Sequence, residues 1–141
     1  LKKFNYGNEN IKPGITTAWL NSPNDPNGSL AINAYEQLDF MKKLWSNDLP
    51  VSKASMELTR QITYLETSPK EFKLSGKTGS NFYDEAHKIQ LGWFIAHIGN
   101  GEKEYIAVTN FSDIEPVETT YFGGFRAKEI TKIMLKDAGL W

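Results

Sequence analysis

The sequence predicts an α/β fold class of the α+β kind, in which helices flank an antiparallel sheet. Two observations point to it. Asn100-Gly101 is a strong hairpin signal between two strand-like segments, and the segment before it, 91–98, is apolar almost throughout. A hairpin makes its two strands antiparallel, and a strand that is apolar on both sides needs cover on both faces. The chain of 141 residues is long enough for one domain with a substantial core.

Three strands and three helices are expected. The strands cover about 70–78, 89–98 and 105–111. Asn33 and Glu36 form a capping box that opens the first helix, and Ser52 caps the second. A third helix covers about 126–140 and stops at Gly139.

Apolar residues at helical spacing predict which side of each helix faces the core. The predicted inner residues are Tyr35, Leu38, Met41, Leu44 and Trp45 in the first helix, Leu58, Ile62 and Leu65 in the second, and Ile130, Ile133, Met134 and Ala138 in the third.

The composition excludes several classes of function. Sixteen basic and seventeen acidic residues give a net charge of −1, so no overall nucleic-acid or anionic-membrane footprint exists. No apolar run approaches the roughly 18–20 residues that span a bilayer. Cysteine is absent, which excludes thiol catalysis, cysteine-based metal sites and disulfides.

The most informative motif is Lys77-Thr78-Gly79, at the end of the first predicted strand. The triplet places an ammonium and a hydroxyl side by side, and its glycine lets a ligand approach the backbone closely. Penicillin-recognising serine enzymes hold the carboxylate of a β-lactam in this way.

Further motifs follow the same order as in a known family. Tyr6-Gly7-Asn8, Trp19-Leu20, Lys77-Thr78-Gly79, Gly92-Trp93-Phe94 and Arg126 succeed one another along the chain. This order and spacing resembles the C-terminal part of the class D serine β-lactamases, the oxacillinases. The resemblance implies that residues 1–141 are the C-terminal portion of a single β-lactamase/transpeptidase-like domain. The N-terminal half of that domain is then expected outside this chain.

The resemblance implies acyl transfer through a serine nucleophile. In the family, the serine of a Ser-x-x-Lys motif attacks the lactam carbonyl, and the lysine of that motif, carboxylated by carbon dioxide, is the general base. None of the nine serines of this chain starts a Ser-x-x-Lys sequence. We therefore expect the nucleophile and the carboxylated lysine in the missing N-terminal part, and no other cofactor and no metal.

The family resemblance also assigns roles to residues of the Lys-Thr-Gly region. Lys77 serves catalysis and substrate binding, Thr78 and Gly79 bind the substrate, and the backbone N–H of Ser80 belongs to the oxyanion hole. Arg126, just before the last helix, is expected to pair with the β-lactam carboxylate, which suits a planar bidentate donor.

Two other motifs complete the cleft implied by the resemblance. Trp19 corresponds to the family tryptophan that supports the carboxylated lysine, and Leu20 to the neighbour that shields the path of the deacylating water. Tyr6, Gly7 and Asn8 are expected to form a wall of the cleft, with a structural role favoured over proton transfer.

The remaining polar candidates have ordinary interpretations. His97 lies within an apolar strand and His87 in a polar loop, so we do not expect a metal site there. Asp84-Glu85 is interpreted as a solvated loop tip.

Two functions stay open, besides a penicillin-binding transpeptidase that Tyr6-Gly7-Asn8 argues against. The first is a periplasmic or secreted bacterial β-lactamase. Its expected partners are a β-lactam substrate and the N-terminal half of the domain, without nucleic acid or membrane; a homodimer is left open. The alternative is the β-lactam-binding sensor domain of a transmembrane signalling receptor, in which the arginine at the position of Arg126 is commonly not kept.

Overall fold

A computed structural model describes residues 1–14, 16–18, 28–84, 86, 88–117 and 121–141, with the backbone alone for Tyr83. Within these residues a short 3-10 turn at Lys2–Phe4 precedes three α-helices and four strands. The helices are α1 (Ala34–Trp45), α2 (Lys53–Ile62) and α3 (Gly123–Asp137), and the strands are β1 (Tyr64–Thr67), β2 (Lys73–Asp84), β3 (Ile89–Gly99) and β4 (Glu104–Ser112). The strands form one antiparallel sheet in the order β1-β2-β3-β4. The predicted fold class is confirmed.

The inner strand β3 is covered on both faces, as its apolar sequence predicts. Phe94, Ala96 and Ile98 join a core cluster that includes Ala127 and Leu135 of α3. Ile95, which points the other way, packs against a second cluster of Met41 and other residues of the α1–α2 region. The sheet therefore lies between α3 on one side and α1 with α2 on the other.

The helix starts agree with the predicted caps. Asn33 accepts backbone hydrogen bonds from Tyr35 and Glu36, and the Glu36 carboxylate accepts one from the Asn33 N–H, which completes the capping box. Ser52 accepts a bond from the Ser55 N–H at the start of α2. None of the described helices combines the length and apolarity that crossing a membrane requires.

Some residues that were predicted to face the core are exposed. In α1 this is one residue, and in α2 and α3 it is several. Met41 and Leu44 are buried as predicted, but Tyr35 is 82% exposed. Several further residues predicted to be buried are instead exposed: Leu58, Ile62, Leu65, Ile130, Ile133, Met134 and Ala138.

Smaller residues form the inner face of α3 instead. Ala127, Thr131 and Leu135, spaced four apart, are buried against the sheet. The short side chains at the first two of these positions let the helix axis approach the strands closely. The larger apolar residues consequently face away from the sheet.

The strand boundaries differ from the prediction in two places. Strand β1 was not predicted, since Leu65 continues the helical spacing of α2 and Pro69 follows within four residues. Strand β2 starts later than predicted and continues to Asp84. The hairpin at Asn100-Gly101 is confirmed, and the Asn100 side chain accepts hydrogen bonds from the N–H groups of Glu102 and Lys103.

His97 is a core residue of the α1 face of the sheet. Its ring stacks on Trp45, with the ring centroids 4.3 Å apart, and its Nε2 contacts the Glu104 carboxylate. Burial lowers the pKa of His97 below its usual value; the Glu104 carboxylate opposes this effect and the Arg60 charge adds to it. The neutral imidazole is therefore the form that the fold favours.

This pKa shift predicts a loss of stability on mild acidification. Because the pKa of His97 is lower in the folded state, the unfolded chain binds more protons than the folded chain once the pH falls below about 6.5. The free energy of unfolding therefore decreases as the pH decreases further. Urea unfolding of the full-length protein at pH 7.5 and pH 5.5 measures this loss. We expect His97→Phe, which keeps a ring against Trp45, to reduce the loss. An equal loss in the variant would contradict the assignment.

Candidate active site

The Lys-Thr-Gly triplet lies on a free edge of the sheet. Strand β1 pairs with β2 over Lys73–Ser75 only, and the Gly76 N–H donates to the Thr63 carbonyl over 2.8 Å. From Lys77 onward, no strand of the described chain pairs with the outer edge of β2. A ligand can therefore align along this stretch of backbone, as peptides do on exposed sheet edges.

The backbone groups on this edge can be assigned from the strand geometry. In an antiparallel ladder, successive residues direct their N–H and C=O groups to alternate sides. The register between β2 and β3 is unbroken from Lys73 to Phe82. Since Gly76 directs its N–H outward, Thr78 and Ser80 do so as well. The Thr78 carbonyl accepts a bond from Lys77 Nζ over 2.6 Å at this edge.

The side chains of the triplet divide between the two faces. Lys77 pairs with Ile95 and is exposed on the face of α1, whereas Thr78 pairs with Phe94 on the face of α3 and is half-buried. A Cβ atom at Gly79 would lie 3.5 Å from the nearest neighbouring heavy atom, an ordinary contact. Packing therefore does not require glycine at position 79. Close approach of a ligand to the backbone is a reason for glycine there.

Arg126 lies inside the first turn of α3, which starts at Gly123 and not at residue 126 as predicted. Its guanidinium donates to both carboxylate oxygens of Asp113, over 2.8 and 3.0 Å, and lies 4.8 Å from the centre of the Phe111 ring. Hydrogen bonding to Asp113 raises the pKa of Arg126, with burial opposing and the carboxylate charge assisting. The arginine side chain stays 29% exposed.

The first turn of α3 rests directly on the backbone of β2 and β3. A Cβ at Gly92 would lie 2.3 Å from the Gly123 carbonyl oxygen, and a Cβ at Gly124 would lie 2.7 Å from that of Gly79. Contacts this close exclude any side chain at these two glycines. The helix start that carries Arg126 is thus placed next to the Lys-Thr-Gly strand.

Tyr6, Gly7 and Asn8 brace the segment that leads into α1. The Asn8 side chain donates to the Ser29 carbonyl and accepts from the Ala31 N–H. The Tyr6 hydroxyl donates to the buried Gln37 side chain over 2.5 Å. Burial raises the pKa of Tyr6, with the bond to Gln37 opposing. These contacts support the structural role favoured for the triplet.

Position 7 requires glycine because its backbone packs against the Ala31 carbonyl in the same segment. Its backbone has a φ of 55°, and a Cβ there would lie 2.2 Å from the Ala31 carbonyl oxygen.

Several predicted residues lie outside the described part of the chain: Trp19, Leu20, Glu85 and His87. Their assigned roles remain predictions. Within the described residues, no group of three or more His, Asp or Glu side chains is placed to hold a metal ion.

Sequence reasoning missed Asp113, the partner of Arg126. An aspartate shortly after a strand is ordinary in a loop, and nothing in its immediate sequence connects it to a residue 13 positions later. The side chain is 6% exposed, which only the folded structure reveals.

Comparison with known proteins agrees with this geometry. The probable β-lactamase YbxI of Bacillus subtilis (strain 168) is 35% identical over 140 residues, which are 99% of this chain and 45% of that protein. The crystal structure of a class D β-lactamase from Bacillus subtilis matches with a TM-score of 0.77 at 34% identity, over 99% of this chain and 51% of the other. The chain is a homologue of the class D β-lactamases. It corresponds to their C-terminal portion and spans about half the length of the curated relatives that it matches.

A receptor domain also shares the class D fold. The C-terminal domain of the Bacillus licheniformis BlaR penicillin receptor matches with a TM-score of 0.77 at 26% identity, over 100% of this chain and 51% of the other. No family model matches the chain. The matches to β-lactamases and to a penicillin receptor support β-lactam hydrolysis or binding in general.

Proposed function

We propose that the parent protein hydrolyses β-lactam antibiotics through a serine acyl-enzyme, and that this chain supplies the substrate-facing strand. The observation that carries the proposal is the free edge of β2. There, Lys77 and Thr78 can engage a carboxylate, and the Ser80 N–H is directed outward, where an oxyanion hole needs a donor. The homology to class D β-lactamases supports the same reaction.

The rest of the active site belongs to the N-terminal half of the domain in this proposal. That half supplies the nucleophilic serine and the lysine whose carboxylation by carbon dioxide makes it a general base. Trp19 supports that lysine, and Leu20 shields the path of the deacylating water. The parent is placed in the periplasm or secreted from a bacterium, and a homodimer stays open.

Exposed apolar residues support a missing half of this kind. On α3, Ile133 is 58% and Met134 61% exposed, and on α2, Leu58 is 58% and Ile62 73% exposed. These helices lie on opposite faces of the sheet. Exposed apolar residues on both faces suit cover by a large segment of the same domain.

The second candidate is a β-lactam sensor, which the match to the penicillin receptor favours. The two functions differ after acylation, since a sensor keeps the acyl group and an enzyme hydrolyses it. Incubation of the full-length protein with excess benzylpenicillin, followed by intact mass, separates them. We expect many turnovers per protein and a short-lived adduct. A stoichiometric adduct that persists would favour the sensor, and no reaction would contradict both functions.

Arg126 provides a mutational test of the carboxylate site. In the full-length enzyme, Arg126→Ala should lower kcat/KM for benzylpenicillin about ten- to a hundredfold, which corresponds to roughly 1.5–3 kcal/mol for a lost charge-assisted pair. Arg60→Ala is the matched control. This arginine lies on the α1–α2 side of the fold and donates to Leu44, Asn47 and Glu57. Its removal should affect thermal stability more than kinetics.

The contrary outcome for Arg126 is equally specific. If Arg126→Ala changed only the melting temperature, with kcat/KM unchanged, the arginine would be a structural partner of Asp113 alone.

A further inference from the structure

Helix α3 begins without a side-chain cap of its own. The residue at its N-cap position is Phe122, whose side chain accepts no backbone hydrogen bond. The first N–H groups of a helix have no partner within the helix, so another group must bind them. In α1 and α2, by contrast, the local residues Asn33 and Ser52 do this.

The missing cap is supplied from the Lys-Thr-Gly strand. The Ser80 hydroxyl accepts a hydrogen bond from the Gly124 N–H over 2.9 Å, from 44 positions earlier in the chain. Gly124 is the second helical residue, one of the two positions that an N-cap side chain ordinarily serves. A Cβ at Gly124 would lie 2.8 Å from the Ser80 hydroxyl oxygen, so the glycine lets the hydroxyl come close.

The same turn carries the guanidinium of the candidate site. Arg126 follows Gly124 by two residues, and its side chain is held by Asp113 and the ring of Phe111. The position of its Cα therefore depends on how the first turn of α3 sits on β2. Ser80 also directs its backbone N–H to the open edge of that strand, as Thr78 does.

We propose that the Ser80 side chain is a positioning residue for Arg126. This role rests on the function proposed above. The oxyanion hole uses only the backbone N–H of Ser80, so the positioning of Arg126 is a separate role of the Ser80 side chain. The hydroxyl bonded to Gly124 fixes the first turn of α3 against β2 and so sets the distance between Arg126 and the substrate-facing edge. The residue type at position 80 then tunes how the enzyme binds carboxylate-bearing β-lactams.

A double-mutant cycle in the full-length enzyme tests this role. Ser80→Ala should lower kcat/KM for benzylpenicillin roughly three- to tenfold, the scale of a lost cap. The loss should appear mainly as a higher KM. In an Arg126→Ala background the same substitution should have almost no further effect, because the group that it positions is gone. Ser80→Thr, which keeps a hydroxyl, should restore most of the activity.

Ser52→Ala is the matched control for stability. It removes the local cap of α2, so it should lower the melting temperature about as much as Ser80→Ala does. Its kcat/KM should be unchanged. Additive effects of Ser80→Ala and Arg126→Ala would overturn the inference. So would an unchanged kcat/KM in Ser80→Ala, provided that Arg126→Ala is impaired.

Hydrogen exchange separates this inference from the proposed function. In Ser80→Ala, the amide of Gly124 should exchange at least several-fold faster, whether or not the protein reacts with a β-lactam. If the unmodified protein failed to react with benzylpenicillin, the proposed function would fall. Unchanged exchange at Gly124 would overturn the positioning role by itself.

Discussion

The close contact between the first turn of α3 and the backbone of β2 and β3 is the constraint on which the candidate site depends. Gly92, Gly123 and Gly124 bring no side chain of their own to this contact, where a Cβ would lie within 3 Å of neighbouring backbone atoms. Contacts this close between backbones are found where no Cβ intervenes. The helix start is thereby fixed relative to the Lys-Thr-Gly strand, and the candidate carboxylate-binding groups, Lys77, Thr78 and Arg126, come from these two elements.

The sheet combines a rigid interior with an open edge. Strand β3 is buried between two core clusters, which fixes the register of β2 from Lys73 to Phe82. Among the described residues, no strand pairs with the outer edge of β2 from Lys77 onward. Backbone groups on such an edge are oriented by the sheet before a ligand arrives, and this preorganisation is what electrostatic stabilisation of an acyl transition state requires.

The sequence predicted the parts of the molecule that depend on local patterns. The helix caps at Asn33 and Ser52, the hairpin at Asn100 and the apolar strand β3 all follow from neighbouring residues. The inner face of α3 did not, because close packing selects Ala127 and Thr131 over the larger Ile130 and Ile133. The start of α3 was also missed, since two glycines predict a helix poorly. Neither Asp113 beside Arg126 nor Ser80 beneath Gly124 has a local signal, because both pairs form only when distant segments meet.

The most direct test is a crystal structure of the full-length protein flash-cooled during its reaction with benzylpenicillin, before the acyl group is hydrolysed. We expect an acyl group on a serine outside these 141 residues. Its carbonyl oxygen should lie about 3 Å from the backbone nitrogen of Ser80, and the penicillin carboxylate should lie against Thr78 and Arg126. An adduct on one of the nine serines of this chain, or an acyl carbonyl directed away from the edge of β2, would contradict this expectation.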